Sequence, residues 1–171
     1  MMKLPNPLND KNDTIMAVIE TPQSCAAKYN YDHLLDAFVL KKILPAGMQF
    51  PFHFGFIPYT KGEDGDPLDI LILLDEPAWP GCIVECRVIG VIMAEEKDKK
   101  KKLRNDRFIG VASASVKYAG LEKLSKMEEY LLENIRNFFY TYANLEGKNF
   151  KIIDLKNKPV AFELIKKALE E

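Results

Sequence analysis

Asp64-Gly65-Asp66-Pro67-Leu68-Asp69-Ile70-Leu71-Ile72-Leu73-Leu74 places three carboxylates at the mouth of a nearly continuous apolar run. The run 68–74 has the length and composition of a buried strand, interrupted only by Asp69. Gly65 permits a tight turn and Pro67 stiffens it. Asp64 and Asp66 share a face if the chain is extended, because residues two apart in a strand point the same way. Asp69 lies where burial is expected, and a buried aspartate is costly unless paired, hydrogen-bonded or bound to a cation. Three like charges also repel, and a hard divalent cation relieves both problems. A turn rich in Asp and Gly is commonplace and needs no ligand; the acid inside the apolar run is what favours metal. An EF-hand loop fits poorly, since Leu68 stands at the fifth ligand position, Asp69 where glycine is required and Asp75 at the twelfth. Oxygen-only ligands favour Mg²⁺, with Mn²⁺ as a substitute, over zinc.

Outward from this cluster the chain reads as short strands followed by helices. Residues 14–20 predict a strand ending at Glu20, 22–27 a turn and 36–40 a short strand. Segment 48–59 interleaves five aromatics with Pro51, Pro58 and Gly55, and predicts an irregular or edge strand whose rings pack in the core. Residues 82–93 predict a long strand, 95–106 a charged, solvated hairpin loop and 108–116 the returning strand. Apolar residues from Leu121 to Leu145 recur at helical spacing and predict one long amphipathic helix, with Gly147 as its stop. A last strand is expected at 150–155 and a final helix at 160–170, with Pro159 near its first turn. The fold class is therefore α+β and mainly β, a small barrel flanked by C-terminal helices. All 171 residues are expected to form one domain, with 1–13 as an N-terminal arm.

Composition narrows the partners. Hydrophobic residues are 47% and the formal net charge is −1, enough apolar side chain for a core and no global basic field for nucleic acid. The lysines at 99–102 read as a solvated hairpin tip. No apolar stretch approaches a membrane span, and the polar tail of segment 1–13 lacks the apolar region of a signal peptide. Cys25, Cys82 and Cys86 are odd in number and lack C-x-x-C spacing, which argues against a disulfide framework and suits a reducing cytoplasm. Cys82 and Cys86 are expected to be small buried hydrophobes, and Trp79 to pack beneath the turn at Pro80-Gly81. His33 and His53 are too few and too separated for a zinc site; His53 is the nearer to the acidic cluster.

The sequence resembles the soluble inorganic pyrophosphatases of family I, whose Asp-x-Asp-Pro-x-Asp signature is matched by residues 64–69. The resemblance extends from about Thr14 to Lys148, through Glu20, Lys28-Tyr29, Gly55-Phe56-Ile57-Pro58, Pro80-Gly81 and 88–91. It implies a five-stranded OB-type barrel, Mg²⁺-dependent hydrolysis of pyrophosphate to two phosphates, and a homo-oligomer. Two metals can clamp a phosphoryl group and acidify a water. By this resemblance Asp64 and Asp69 ligate metal, Asp66 orients and deprotonates the water, and Glu20 holds a metal or its water shell. Lys28, Lys41, Arg107, Tyr142 and Lys148 contact phosphate oxygens. No covalent nucleophile is implied or evident.

Several positions depart from the family pattern. Asn30 stands where Glu is usual, Lys41 where Arg is usual, Phe50 and Phe54 where tyrosines occur, and His53 where Asn occurs. The hairpin ordinarily supplies two metal-binding aspartates. Glu95, Glu96 or Asp98 can serve as the first; register puts Asn105 at the second, and a one-residue slip offers Asp106. Arg107 replaces a Lys, and Ala143 replaces the Lys after Tyr142. Three readings stay open: a divergent pyrophosphatase with rearranged ligands, a hydrolase of another phosphoanhydride, and a weakened or non-catalytic homologue. An OB-type single-strand binder is a further class, distinguished by salt-sensitive binding.

Overall fold

A computed structural model describes residues 4–9, 14–98 and 101–169. In chain order the elements are β1 (Leu8–Asn9), β2 (Thr14–Thr21), β3 (Ala27–Asp32), β4 (Ala37–Ile43), β5 (His53–Phe56), β6 (Asp69–Leu73), β7 (Ile83–Asp98), β8 (Lys101–Arg104), β9 (Arg107–Ala112), a 3₁₀ turn (Leu124–Lys126), α1 (Glu129–Leu145), β10 (Asn149–Asn157) and α2 (Lys158–Ala168). Strand β2 pairs with β5, β5 with β6, β6 with β9, β9 with β7, and β7 with β2. Five strands thus close into a ring, the small barrel expected. The β6–β9 pairing is parallel and the other four are antiparallel. Strands β3 and β4 form a separate hairpin beside the ring.

The apolar run of β6 is continuous because both of its faces are covered. Ile70 and Ile72 pack in one cluster with Ala161 and Ile165 of α2. Leu71 and Leu73 pack in another with Ile135, Phe138 and Phe139 of α1. A strand between two such layers needs apolar residues at every position rather than alternation. The rings of Phe50, Phe52, Phe54 and Phe56 are all buried, as expected of core packing. Gly55 makes the tightest approach: a Cβ there would lie 1.9 Å from the Val18 carbonyl oxygen on β2, so only glycine admits this pairing.

Several expectations are corrected. The helix begins at Glu129, not near 121; Leu124 instead leads a 3₁₀ turn and is buried over Gly90, where a Cβ would meet it at 2.6 Å. Segment 95–106 is largely strand rather than loop: β7 runs on to Asp98 and β8 returns along it, with Lys102 Nζ 2.5 Å from Glu95 Oε2. Strand β3 falls partly on the expected turn at 22–27 and adds a paired segment that the polar AKYNYD composition did not suggest. Trp79 is 78% exposed rather than packed, and Cys82 is exposed while Cys86 is buried. Gly147 does end α1 in a left-handed conformation (φ +70°), and Pro159 does lie in the first turn of α2. Within the N-terminal arm, Leu8–Asn9 pairs with β2; residues 1–3 and 10–13 lie outside the described residues, as do 99–100 of the lysine run and 170 of the final helix. Among the described residues, no helix is long and apolar enough to cross a membrane.

Candidate active site

One end of the ring opens into a cleft of about 840 Å³, lined by groups from β2, the β3–β4 hairpin, the 62–69 turn, the β7–β9 strands and the end of α1. The turn is built by its own backbone: Gly62 N–H donates to the Asp66 carbonyl at 2.8 Å, Gly65 N–H to the Gly62 carbonyl at 3.1 Å, and Asp66 N–H to Asp64 Oδ1 at 3.2 Å. Gly65 has φ +92°, the conformation that glycine adopts without steric cost. Asp64, Asp66 and Asp69 consequently line the same cleft.

Glu20 reaches the cleft from an irregularity in the β2–β5 pairing between Ile19 and Thr21. Its Oε1 accepts the Tyr31 N–H at 2.7 Å. Burial pushes its carboxyl up to about 7; the charges of Asp69 and Asp66 add to this, while the Tyr31 N–H and Lys28 oppose it. Burial likewise raises Asp69 and Asp64 above the usual carboxylate range, against the pull of Arg107. Lys28 is lowered by burial, with Asp69 and Glu20 opposing the shift. Glu20, Asp69 and Lys28 are thus drawn wholly or partly out of water and set against one another, with Asp64 exposed beside them, the pattern of a functional site.

A chain of ion pairs runs along the cleft. Arg107 Nη1 lies 2.7 Å from Asp69 Oδ2, and Arg107 Nη2 lies 3.2 Å from Glu96 Oε1. Lys148 Nζ sits 3.3 Å from Glu96 Oε2 and 3.5 Å from Glu146 Oε2. Glu146 in turn pairs with Lys42. Register explains the first link, because Asp69 and Arg107 are direct partners across the parallel β6–β9 pair. The turn at Gly147 explains the others, since it brings Glu146 and Lys148 to the cleft together. Phe50 and Tyr142 pack ring against ring at 6.2 Å, and Lys28 Nζ lies 5.3 Å above the Tyr142 ring. The buried Tyr142 Oη lacks a hydrogen-bond partner among the described residues. Burial first, then the charge of Glu146, raises its pKa.

Glu20, Lys28, Asp64, Asp66, Asp69, Glu96, Arg107, Tyr142 and Lys148 are therefore brought together. Two expected residues are not. Neither Lys41 nor Lys42 is among the residues that line the cleft; Lys41 is exposed, while the adjacent Lys42 is half-buried, with Nζ 4.1 Å from the centroid of the Tyr142 ring, which does line it. Asp106 is spent on the framework, its Oδ1 accepting the Ala94 N–H at 3.0 Å and the Arg104 Nε–H at 2.6 Å. The cleft position falls to Asn105, so no one-residue slip occurs. His53 is fully buried away from the cleft: Nδ1 accepts the Gln23 N–H at 3.1 Å, and Nε2 lies 3.2 Å from the Glu76 carbonyl. Glu146 and Lys42 are the residues that sequence reasoning missed; the Lys41-Lys42 pair signalled one of them without saying which.

Among the described residues, no three His, Cys, Asp or Glu side chains form a ready cage for a metal. The donor set nonetheless suits Mg²⁺, which keeps several waters and takes one or two carboxylates plus substrate oxygens rather than an all-protein cage. Glu20, Asp64 and Asp66 supply oxygen donors of that kind around the cleft.

Comparison with known proteins adds an independent line. A family model described as inorganic pyrophosphatase matches residues 17–171. An inorganic pyrophosphatase of Aquifex pyrophilus is 35% identical over 171 residues, covering 98% of this chain and 93% of that relative. The crystal structure of inorganic pyrophosphatase from Thermus thermophilus superposes with a TM-score of 0.87 at 32% identity, over 96% of this chain and 94% of that one. The enzyme of that description from Helicobacter pylori gives a TM-score of 0.87 at 28% identity, over 98% and 96%.

Proposed function

We propose, from the premise that this chain belongs to the inorganic pyrophosphatase family, that it is an inorganic diphosphatase hydrolysing pyrophosphate to two phosphates with Mg²⁺. The observation that carries this reading is the cleft itself, where carboxylates from four segments face lysines, an arginine and a tyrosine. Pyrophosphate is a compact polyanion, and its repulsion must be neutralised before water can approach phosphorus. Lys28, Lys42 and Lys148 provide cations for the phosphate oxygens, and the unpartnered Tyr142 Oη provides a donor. Asp66, which lines the cleft, would orient the attacking water and take its proton. The water oxygen bonds to phosphorus as the P–O bond to the departing phosphate breaks, the leaving oxygen keeps the electron pair against the cleft's cations, and no covalent enzyme intermediate forms. Asp64, Asp66 and Glu20 would hold the divalent cation, with Asp69 behind them. That ion supplies Lewis acidity, drawing charge from phosphoryl oxygens and acidifying water. Burial of Glu20 and Asp69 serves the same end, since carboxylates short of solvent gain more from a cation than exposed ones do.

The hydrolase reading implies a cytoplasmic, homo-oligomeric protein. Light scattering of the purified chain tests the assembly. Phosphate release from pyrophosphate with Mg²⁺, with Asp66→Asn as control, tests the activity. Turnover in the parent and its loss in Asp66→Asn are expected; a folded parent without release under Mg²⁺ or Mn²⁺ overturns it.

A further inference from the structure

The reading above rests on divalent cations. We propose that one cation position in the cleft is filled permanently by the chain: the Arg107 guanidinium, bridging Asp69 and Glu96, takes the place of a metal ion between those two carboxylates and confines metal binding to the side of Glu20, Asp64 and Asp66.

The geometry is that of a bridge. Arg107 Nη1 and Nη2 address two different carboxylates, at 2.7 and 3.2 Å. Drawing two acids from separate strands onto one positive centre is the task a divalent ion performs. The guanidinium is fixed from behind. Nη1 also donates to the Asn105 and Asp106 carbonyl oxygens, each at 3.2 Å, and to Asn105 Oδ1. Its Cζ lies 4.9 Å from the centroid of the Phe139 ring. The side chain is buried, so its position does not depend on a solvated, mobile stem.

Charge makes the substitution permanent. Arginine does not deprotonate in proteins, so the bridge persists when no ion is bound. Asp69 and Glu96 carry two negative charges, and Arg107 and Lys148 return two positive ones, Lys148 Nζ being 3.3 Å from Glu96. A divalent ion entering between the same two acids would meet the guanidinium and the ammonium as like charges. Asn105 completes the arrangement. Its amide oxygen accepts from the guanidinium without adding the negative charge that would recruit a further ion.

Counting Mn²⁺ bound to the whole chain by equilibrium dialysis, without pyrophosphate, tests this. Arg107→Met removes the charge while keeping an apolar stem on Phe139, and is expected to bind one more Mn²⁺ per chain than the parent. Equal counts, zero included, overturn the proposal. Should Arg107→Met fail to fold by circular dichroism, Glu96→Gln decides. If Arg107 already occupies Glu96, the parent count persists and affinity changes less than about threefold. Loss of an ion, or weakening by about tenfold or more, as expected when a contributing group is removed, overturns it. Phosphate release by the parent, measured on the same preparation, judges the pyrophosphatase reading separately. Turnover with equal counts sinks the bridge alone, and a raised count without turnover sinks the reading alone.

Discussion

Glu20→Gln in metal-free protein isolates the cost of holding an acid in a dry cleft. The carboxylate is 6% exposed, and burial pushes it from 4.5 to about 7. The folded state therefore binds a proton that the unfolded chain releases at lower pH. Stability from this group is fully present below about pH 4.5, falls as pH rises, and is lost above about 7. A shift of that size corresponds to about 3 kcal/mol. Glutamine keeps an oxygen for the Tyr31 N–H but carries no charge. The variant is thus expected to match the parent near pH 4 and to exceed it by up to about 3 kcal/mol at pH 8. Urea unfolding in EDTA between pH 4 and 8.5 measures the difference. Saturating Mg²⁺ should restore the parent at pH 8 and do less for the variant, since a bound cation stabilises the charged acid. Parallel pH curves for the two proteins would refute the reasoning, because the difference would then owe nothing to ionisation.

Other consequences are equally direct. Lys42→Met should raise KM for pyrophosphate roughly 10–100-fold, the worth of a hydrogen bond to a charged group, while Lys41→Met changes it less than about twofold; steady-state kinetics separates them. Tyr142→Phe removes a buried hydroxyl that lacks a partner, so thermal melts should find the ligand-free variant at least as stable as the parent, while its KM rises. Gly55→Ala drives a Cβ toward the Val18 carbonyl at 1.9 Å, and denaturation should show a loss of about 3 kcal/mol or more.

The fold was legible wherever burial alone dictates residue type. The 68–74 run, the aromatics from Phe50 to Phe56 and the helical stretch ending at Gly147 had to pack as they do, because each presents apolar surface with one geometry that hides it. The β3–β4 hairpin was harder, since AKYNYD is half-buried throughout and shows no alternation to read. The helix start was misread because Leu121 and Leu124 continue a helical period while packing from a loop. In the site, the acidic triplet could be read directly from spacing, whereas the role of Glu20 came only from the family resemblance. Which of Lys41 and Lys42, or Asn105 and Asp106, turns inward depends on register, and a one-residue step reverses a strand's faces. The Lys42–Glu146–Lys148–Glu96–Arg107–Asp69 chain joins segments far apart in sequence, so no local pattern could reveal it.

The most direct measurement is phosphate release from pyrophosphate by the purified chain as Mg²⁺ is titrated, beside Asp66→Asn and a no-metal control. Turnover that rises with Mg²⁺ and vanishes in the variant is the predicted result. A folded chain that releases no phosphate at any Mg²⁺ concentration, or an Asp66→Asn variant as active as the parent, would contradict it.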